Sequence, residues 1–180
     1  WATGTIKAVR FEKKMSYGNF DLVFNNDVTL SIESLPTAPV FFAYCEKGTL
    51  THSFGANGAQ SKVKMNQTAV LNNTSVINSV LSFESHKPIQ FSLVGMPTIA
   101  SVKQENVQMV SQLKKRFTTD TWQYLYIGTK NQKIADRLQE LNRIPQKGIV
   151  RSLLQKSILS SMLEMEIAQH SYNYLNTFDP

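Results

Sequence analysis

The hydrophobic period of this chain changes once, at Pro97. Before it, apolar residues recur mostly at every second position; after it, they recur every third or fourth. A period of two belongs to strands with one covered face, and a period near 3.6 belongs to helices. The change commits the first part of the chain to sheets and the second to helices. It divides the sequence into a β domain over residues 1–97 and a helical segment over residues 98–180.

Within the β part, "TIKAVRF" and "FDLVFNN" alternate on either side of the turn-prone Ser16-Tyr17-Gly18-Asn19. Val28, Leu30 and Ile32 alternate with Thr29, Ser31 and Glu33, as in a strand with one wet face. "VFFAYCEKG" is apolar nearly throughout, the pattern of a strand covered on both faces. "TLTHSF" and "QSKVKM" read as a hairpin with Asn57-Gly58 as its positive-φ turn. Two further strands flank Asn72-Asn73, and "PIQFSLVGMP" completes the set. Eight or so short strands, with turns every ~8–12 residues and no helices between them, specify a barrel or jelly roll.

Beyond Pro97, Val107, Val110, Leu113 and Phe117 make one helical stripe. "WQYLYIG" reads as an aromatic link. Ile134, Leu138 and Leu141 make a second stripe, with Asp136 and Glu140 placed to pair with basic neighbours. After Pro145 a long helix is expected from about Gly148 to Tyr174. Its apolar residues, from Val150 through Leu154, Ile158 and Met162 to Ile167, exceed what one face on a small barrel requires. Part of that surface is expected to meet another chain.

Composition closes off several functional classes. Hydrophobic residues make up 42%, enough for a core, and no apolar run approaches the length of a membrane span. Cys45 is the only cysteine, which excludes an intrachain disulfide and a cysteine-based zinc site. With no secretory leader in view, a cytoplasmic location is expected. The net charge of +6 raises nucleic acid as a partner, but the basic residues are scattered: Lys13-Lys14, Lys62 with Lys64, Lys114 to Arg116.

No catalytic arrangement emerges. His52, His86 and His170 fall in different elements, so no two imidazoles share a face at metal-ligand spacing. Glu46 and Glu84 are the nearest thing to a carboxylate pair, and both sit at strand ends. "GANG" is a turn, not a phosphate cradle. What the strands offer is aromatic lining: Phe42, Tyr44, Phe54, Phe83 and Phe91, with His52 as a polar member. Alternation puts Phe42 and Tyr44 on one side of their strand and Phe41 and Cys45 on the other. These residues fit either a packed core or the walls of a ligand cavity in a barrel mouth.

Phe41-Phe42 and Gly48, then Ile134, Leu138, Leu141, Ile144, Gly148, Arg151, Leu153 and Leu154, and finally Met162, Leu163, Ile167 and Gln169 carry a resemblance. Over roughly residues 4–170 the chain resembles the N-terminal sensor region of AraC-family transcriptional regulators, in particular the pyochelin-regulator (PchR-like) branch with its Bacteroidetes members. The resemblance implies a cupin-like double-stranded β-helix barrel followed by helices, an α+β fold. It implies a small-molecule effector, siderophore-like in that branch, and no catalysis, cofactor or metal. It also implies a homodimer through Leu154, Ile158, Met162 and Met165 of the last helix. DNA would be met only through a helix-turn-helix module that these 180 residues do not contain. The alternative is a cupin-fold enzyme acting on a small molecule, with a metal held by His52 and partners from elsewhere.

Overall fold

The computed structural model describes residues 1–11, 15–32, 40–73, 77–95 and 123–175. These form two compact units, 1–95 with 123–129, and 130–175. The fold class is α+β, a cupin-like jelly-roll barrel followed by helices.

The first unit is built from ten strands: β1 (Ala2–Arg10), β2 (Ser16–Phe24), β3 (Val28–Ile32), β4 (Phe41–Lys47), β5 (Thr49–Phe54), β6 (Ser61–Lys64), β7 (Gln67–Asn73), β8 (Ser79–Phe83), β9 (Ile89–Gly95) and β10 (Gln123–Thr129). They make a six-stranded sheet in the order β1-β2-β9-β4-β7-β10 and a four-stranded sheet in the order β3-β8-β5-β6. Every pairing is antiparallel. Alternation then does what it must: one face of each sheet turns inward and is apolar. Leu22, Phe24, Ala43, Cys45, Ala69 and Phe91 from the larger sheet meet Leu50, Val63, Leu81 and Phe83 from the smaller in one core.

Four local expectations change. Ser16–Asn19 is the start of β2, not a turn; the chain reverses before it, where the Phe11 amide donates to the Met15 carbonyl at 2.8 Å. Tyr17 and Asn19 are buried on one face of β2, and the intervening Gly18 leaves room for the Phe20 ring, 2.8 Å from where a Cβ would stand. Asn72-Asn73 continues β7, because Asn73 is in register with Gln123 of a strand that the sequence pattern did not show. "QYLYIGT" (Gln123–Thr129) supplies that strand, β10, so part of the segment after Pro97 belongs to the barrel sheet. Between β5 and β6 the positive φ (73°) is at Gly55, not at Asn57-Gly58, and six residues make the connection. The helix expected around Val107 to Phe117 lies outside the described residues.

The second unit holds α1 (Gln132–Arg143) and α2 (Gly148–Leu175), separated by a break containing Pro145, as the sequence pattern requires. Asn131 caps α1: its side-chain oxygen accepts from the Lys133 amide at 2.9 Å, and its amide nitrogen donates to Gln169 on α2 at 3.1 Å. Ile134, Ala135, Leu138 and Leu141 are the buried stripe of α1, which packs on α2. Glu140 pairs with Arg137, while Asp136 accepts from the Gln132 amide instead of from a cation.

The apolar surface of α2 divides in two. Ile158, Leu159, Met162, Leu163 and Ile167 are buried within the chain. Ile149, Val150, Leu153 and Leu154, at its start, are 76, 50, 61 and 38% exposed. Of the four residues expected to meet another chain, Ile158 and Met162 are thus already covered, Met165 is half-buried and only Leu154 is exposed. The helical pattern identified apolar positions without telling intrachain cover from free surface. No described helix is long and apolar enough to cross a membrane.

Candidate ligand site in the barrel interior

Strand register decides which aromatic residues meet. On β5, Leu50 and His52 share a face, and Leu50 belongs to the inward core. His52 lies opposite Leu81 of β8 and Ser61 of β6, and Leu81 lies opposite Leu30 of β3. One row therefore crosses all four strands of the smaller sheet on its inward face: Leu30, Leu81, His52, Ser61. The next row runs Ile32, Ser79, Phe54.

His52 is 1% exposed, and its ring meets Phe54 edge-on with centroids 4.7 Å apart. Among the described residues, neither Nδ1 nor Nε2 has a hydrogen-bond partner. Burial holds its pKa down at about 4, so the imidazole is neutral at pH 7. A neutral imidazole carries one N–H donor and one bare nitrogen acceptor. Each buried group left unpaired costs about 1–3 kcal/mol, so His52 is a local expense in a mostly apolar interior.

Further in, the rings form a series. Phe83 lies 4.9 Å from Phe24 and 6.0 Å from Phe91, and Phe91 stacks on Phe20 at 4.6 Å. Such pairs contribute about 0.5–1.5 kcal/mol each beyond their burial. Toward β3 the cover thins: Leu30, Ile32 and Ile77 are 37, 46 and 45% exposed. The inward face thus passes from an exposed apolar rim to one buried polar side chain.

Of the expected lining residues, the structure brings His52, Phe54, Phe83 and Phe91 to the inner face. Phe42 and Tyr44, both fully buried, lie on the opposite face of β4 from Cys45, as alternation requires, and so do not join them. There Tyr44 stands in a second row, Asn19, Ser92, Tyr44, Thr68. The Asn19 amide donates to the Ser92 hydroxyl at 3.1 Å, and that hydroxyl donates to Glu46 at 2.9 Å. This chain of bonds ties β2, β9 and β4 together in one register.

Cys45 is a core thiol whose sulfur approaches the Gly48 carbonyl at 3.5 Å. Among the described residues, no three of His, Cys, Asp and Glu come together to hold a metal. Sequence reasoning missed Phe20, Phe24, Leu81 and Ser61 as neighbours of the site. No local signal marks them, because only the pairing of distant strands aligns them with His52.

The fold has parallels among solved structures. ToxT from Vibrio cholerae superposes with a TM-score of 0.53 at 10% identity, over 87% of this chain and 57% of that one. CuxR, an AraC-like transcriptional activator, gives a TM-score of 0.55 at 8% identity, over 86% of this chain and 51% of that one. A third structure, ToxT with an unsaturated fatty acid bound, gives 0.50 at 10% identity, over 88% and 56%. The fold is shared with these regulators. At such identities the likeness concerns fold alone, and this chain spans little more than half the length of the proteins it matches. No protein-family model matches the sequence, and neither does any curated protein.

Proposed function

We propose that these residues are the effector-sensing part of an AraC-like transcriptional regulator. The barrel binds a small, mostly apolar effector, and the helices carry that event to a DNA-binding module attached beyond them. One observation carries the reading: an imidazole buried on the inner face against the Phe54 ring, with no hydrogen-bond partner among the described residues, in a sheet whose β3 edge is apolar and exposed. An interior built only for stability would place a leucine there. The fold shared with ToxT and CuxR supports the regulatory context, and the wording of residues 134–169 supports placement in the pyochelin-regulator branch.

An effector shifts such a protein only by binding one arrangement better than another. In this reading the barrel does the binding without catalysis. Self-association falls to the exposed start of α2, where Ile149, Val150, Leu153 and Leu154 offer apolar surface, and the product is a homodimer. DNA is met only by the attached module.

The test is thermal unfolding against a panel of fatty acids, fatty alcohols, alkylphenols and sterols. A ligand at a hundred times its Kd stabilises by about 2.7 kcal/mol, a rise of several degrees for a protein of this size. At least one class should produce that rise. No rise from any class would overturn the sensing reading.

A further inference from the structure

We propose that the effector is an uncharged molecule, apolar over most of its length, which enters with a hydroxyl group leading and places it against His52. The proposal rests on the sensing reading above and adds the chemistry of the ligand.

Three observations bear on it. First, neither ring nitrogen of His52, a residue 1% exposed, has a hydrogen-bond partner among the described residues. A hydroxyl can accept from the ring N–H or donate to the bare nitrogen, so it pairs with whichever ring nitrogen faces it. Second, no charged residue occupies an inward position on any of the four strands of the smaller sheet. The lysines of β6, Lys62 and Lys64, alternate with the inward Ser61 and Val63 and so point the other way. A carboxylate arriving beside His52 would shed its water and find no cation at the inward positions of these strands. Burial keeps the imidazole neutral, so it offers no standing positive charge to meet an anion. Third, polarity runs in the order a head-first ligand needs. The rim residues Leu30, Ile32 and Ile77 are apolar and exposed, while the one imidazole is buried beyond them, with half-buried Ser61 across the strand pair.

The order of groups also fixes which end of the ligand leads. A molecule with a long hydrocarbon body leaves that body along the rim residues Leu30, Ile32 and Ile77, where it covers exposed apolar surface, and places its only polar group where a polar group is unpaired. A polyol or a sugar would leave most of its hydroxyls against hydrocarbon. A sterol or fatty alcohol would not.

Decanol and decanoate separate the possibilities, because they share a tail and differ at the head. Isothermal titration calorimetry at pH 7.5 should show decanol binding the wild-type protein roughly tenfold more tightly than decanoate, the worth of one charge-free hydrogen-bonded head over a poorly solvated anion. The His52→Phe variant should lose roughly tenfold in decanol affinity, and His52→Gln, which keeps one donor and one acceptor, should retain most of it. Decanol binding should also take up no proton, so its measured heat should not depend on the ionisation heat of the buffer. Equal or tighter binding of decanoate, or undiminished decanol binding by a folded His52→Phe, would overturn the proposal while leaving the sensing reading intact. If neither molecule binds and the wider panel also fails, the sensing reading falls with it.

Discussion

His52 is the residue on which most of the account turns. Its neutral state in the fold has a consequence for stability, and the sign follows from which state holds more protons. The folded pKa is about 4, below the ordinary 6.5, so between those values the unfolded chain binds the proton and the folded chain does not. Stability contributed by the neutral ring is complete above about pH 6.5 and is lost as pH falls toward 4. The loss should be on the order of 3 kcal/mol, read by urea unfolding at a series of pH values. In His52→Phe this part of the acid dependence should vanish; an unchanged profile would mean that His52 is not the buried base. On the other face, Ser92 both accepts from Asn19 and donates to Glu46. Ser92→Ala should cost about 1–3 kcal/mol, because it strands the Asn19 amide, and a loss below half a kilocalorie would show the row to be solvated.

At the scale of elements, what the sequence made legible depended on how local each signal was. The helix break at Pro145 and Gly148 and the stripe of Ile134, Leu138 and Leu141 could be read off, because helical neighbours are three and four residues apart in the chain itself. Most strands could be found for the same reason. Their partners could not. Whether Tyr44 faces the same space as Phe91 depends on the pairing of β4 with β9, some fifty residues away, and the aromatic composition of both strands suits either answer. β10 was hidden similarly: "QYLYIGT" is a good strand only because β7 offers it an edge. The apolar stripe of the last helix was visible as a whole, but its division into a covered part and a free part was not. That division is testable. Met162→Ala should destabilise the fold by roughly 2–5 kcal/mol through the cavity it leaves. Leu153→Glu combined with Leu154→Glu should leave stability nearly unchanged and convert dimer to monomer in sedimentation velocity. A wild-type protein that is monomeric at high concentration would remove the assignment of self-association to this surface.

For the whole molecule, the reading is of a barrel that senses and helices that report, with DNA recognition delegated elsewhere. The net charge of +6 is spread over the sequence instead of gathered into one run, so this chain alone should show weak DNA binding at most. A strong binder that neutralises many phosphates would lose several powers of ten in affinity between low and physiological salt, and such behaviour by this chain would contradict the delegation. The central claim, however, is that a small molecule occupies the barrel interior beside His52. The most direct measurement is an isotope-filtered nuclear Overhauser spectrum of uniformly labelled protein with unlabelled decanol. The account requires contacts from the decanol chain to Leu81, Phe54 and Leu30, and from its carbinol protons to the His52 ring. Contacts confined to Phe42, Tyr44 and Val70 on the opposite face of the larger sheet, or none to the barrel at all, would contradict it.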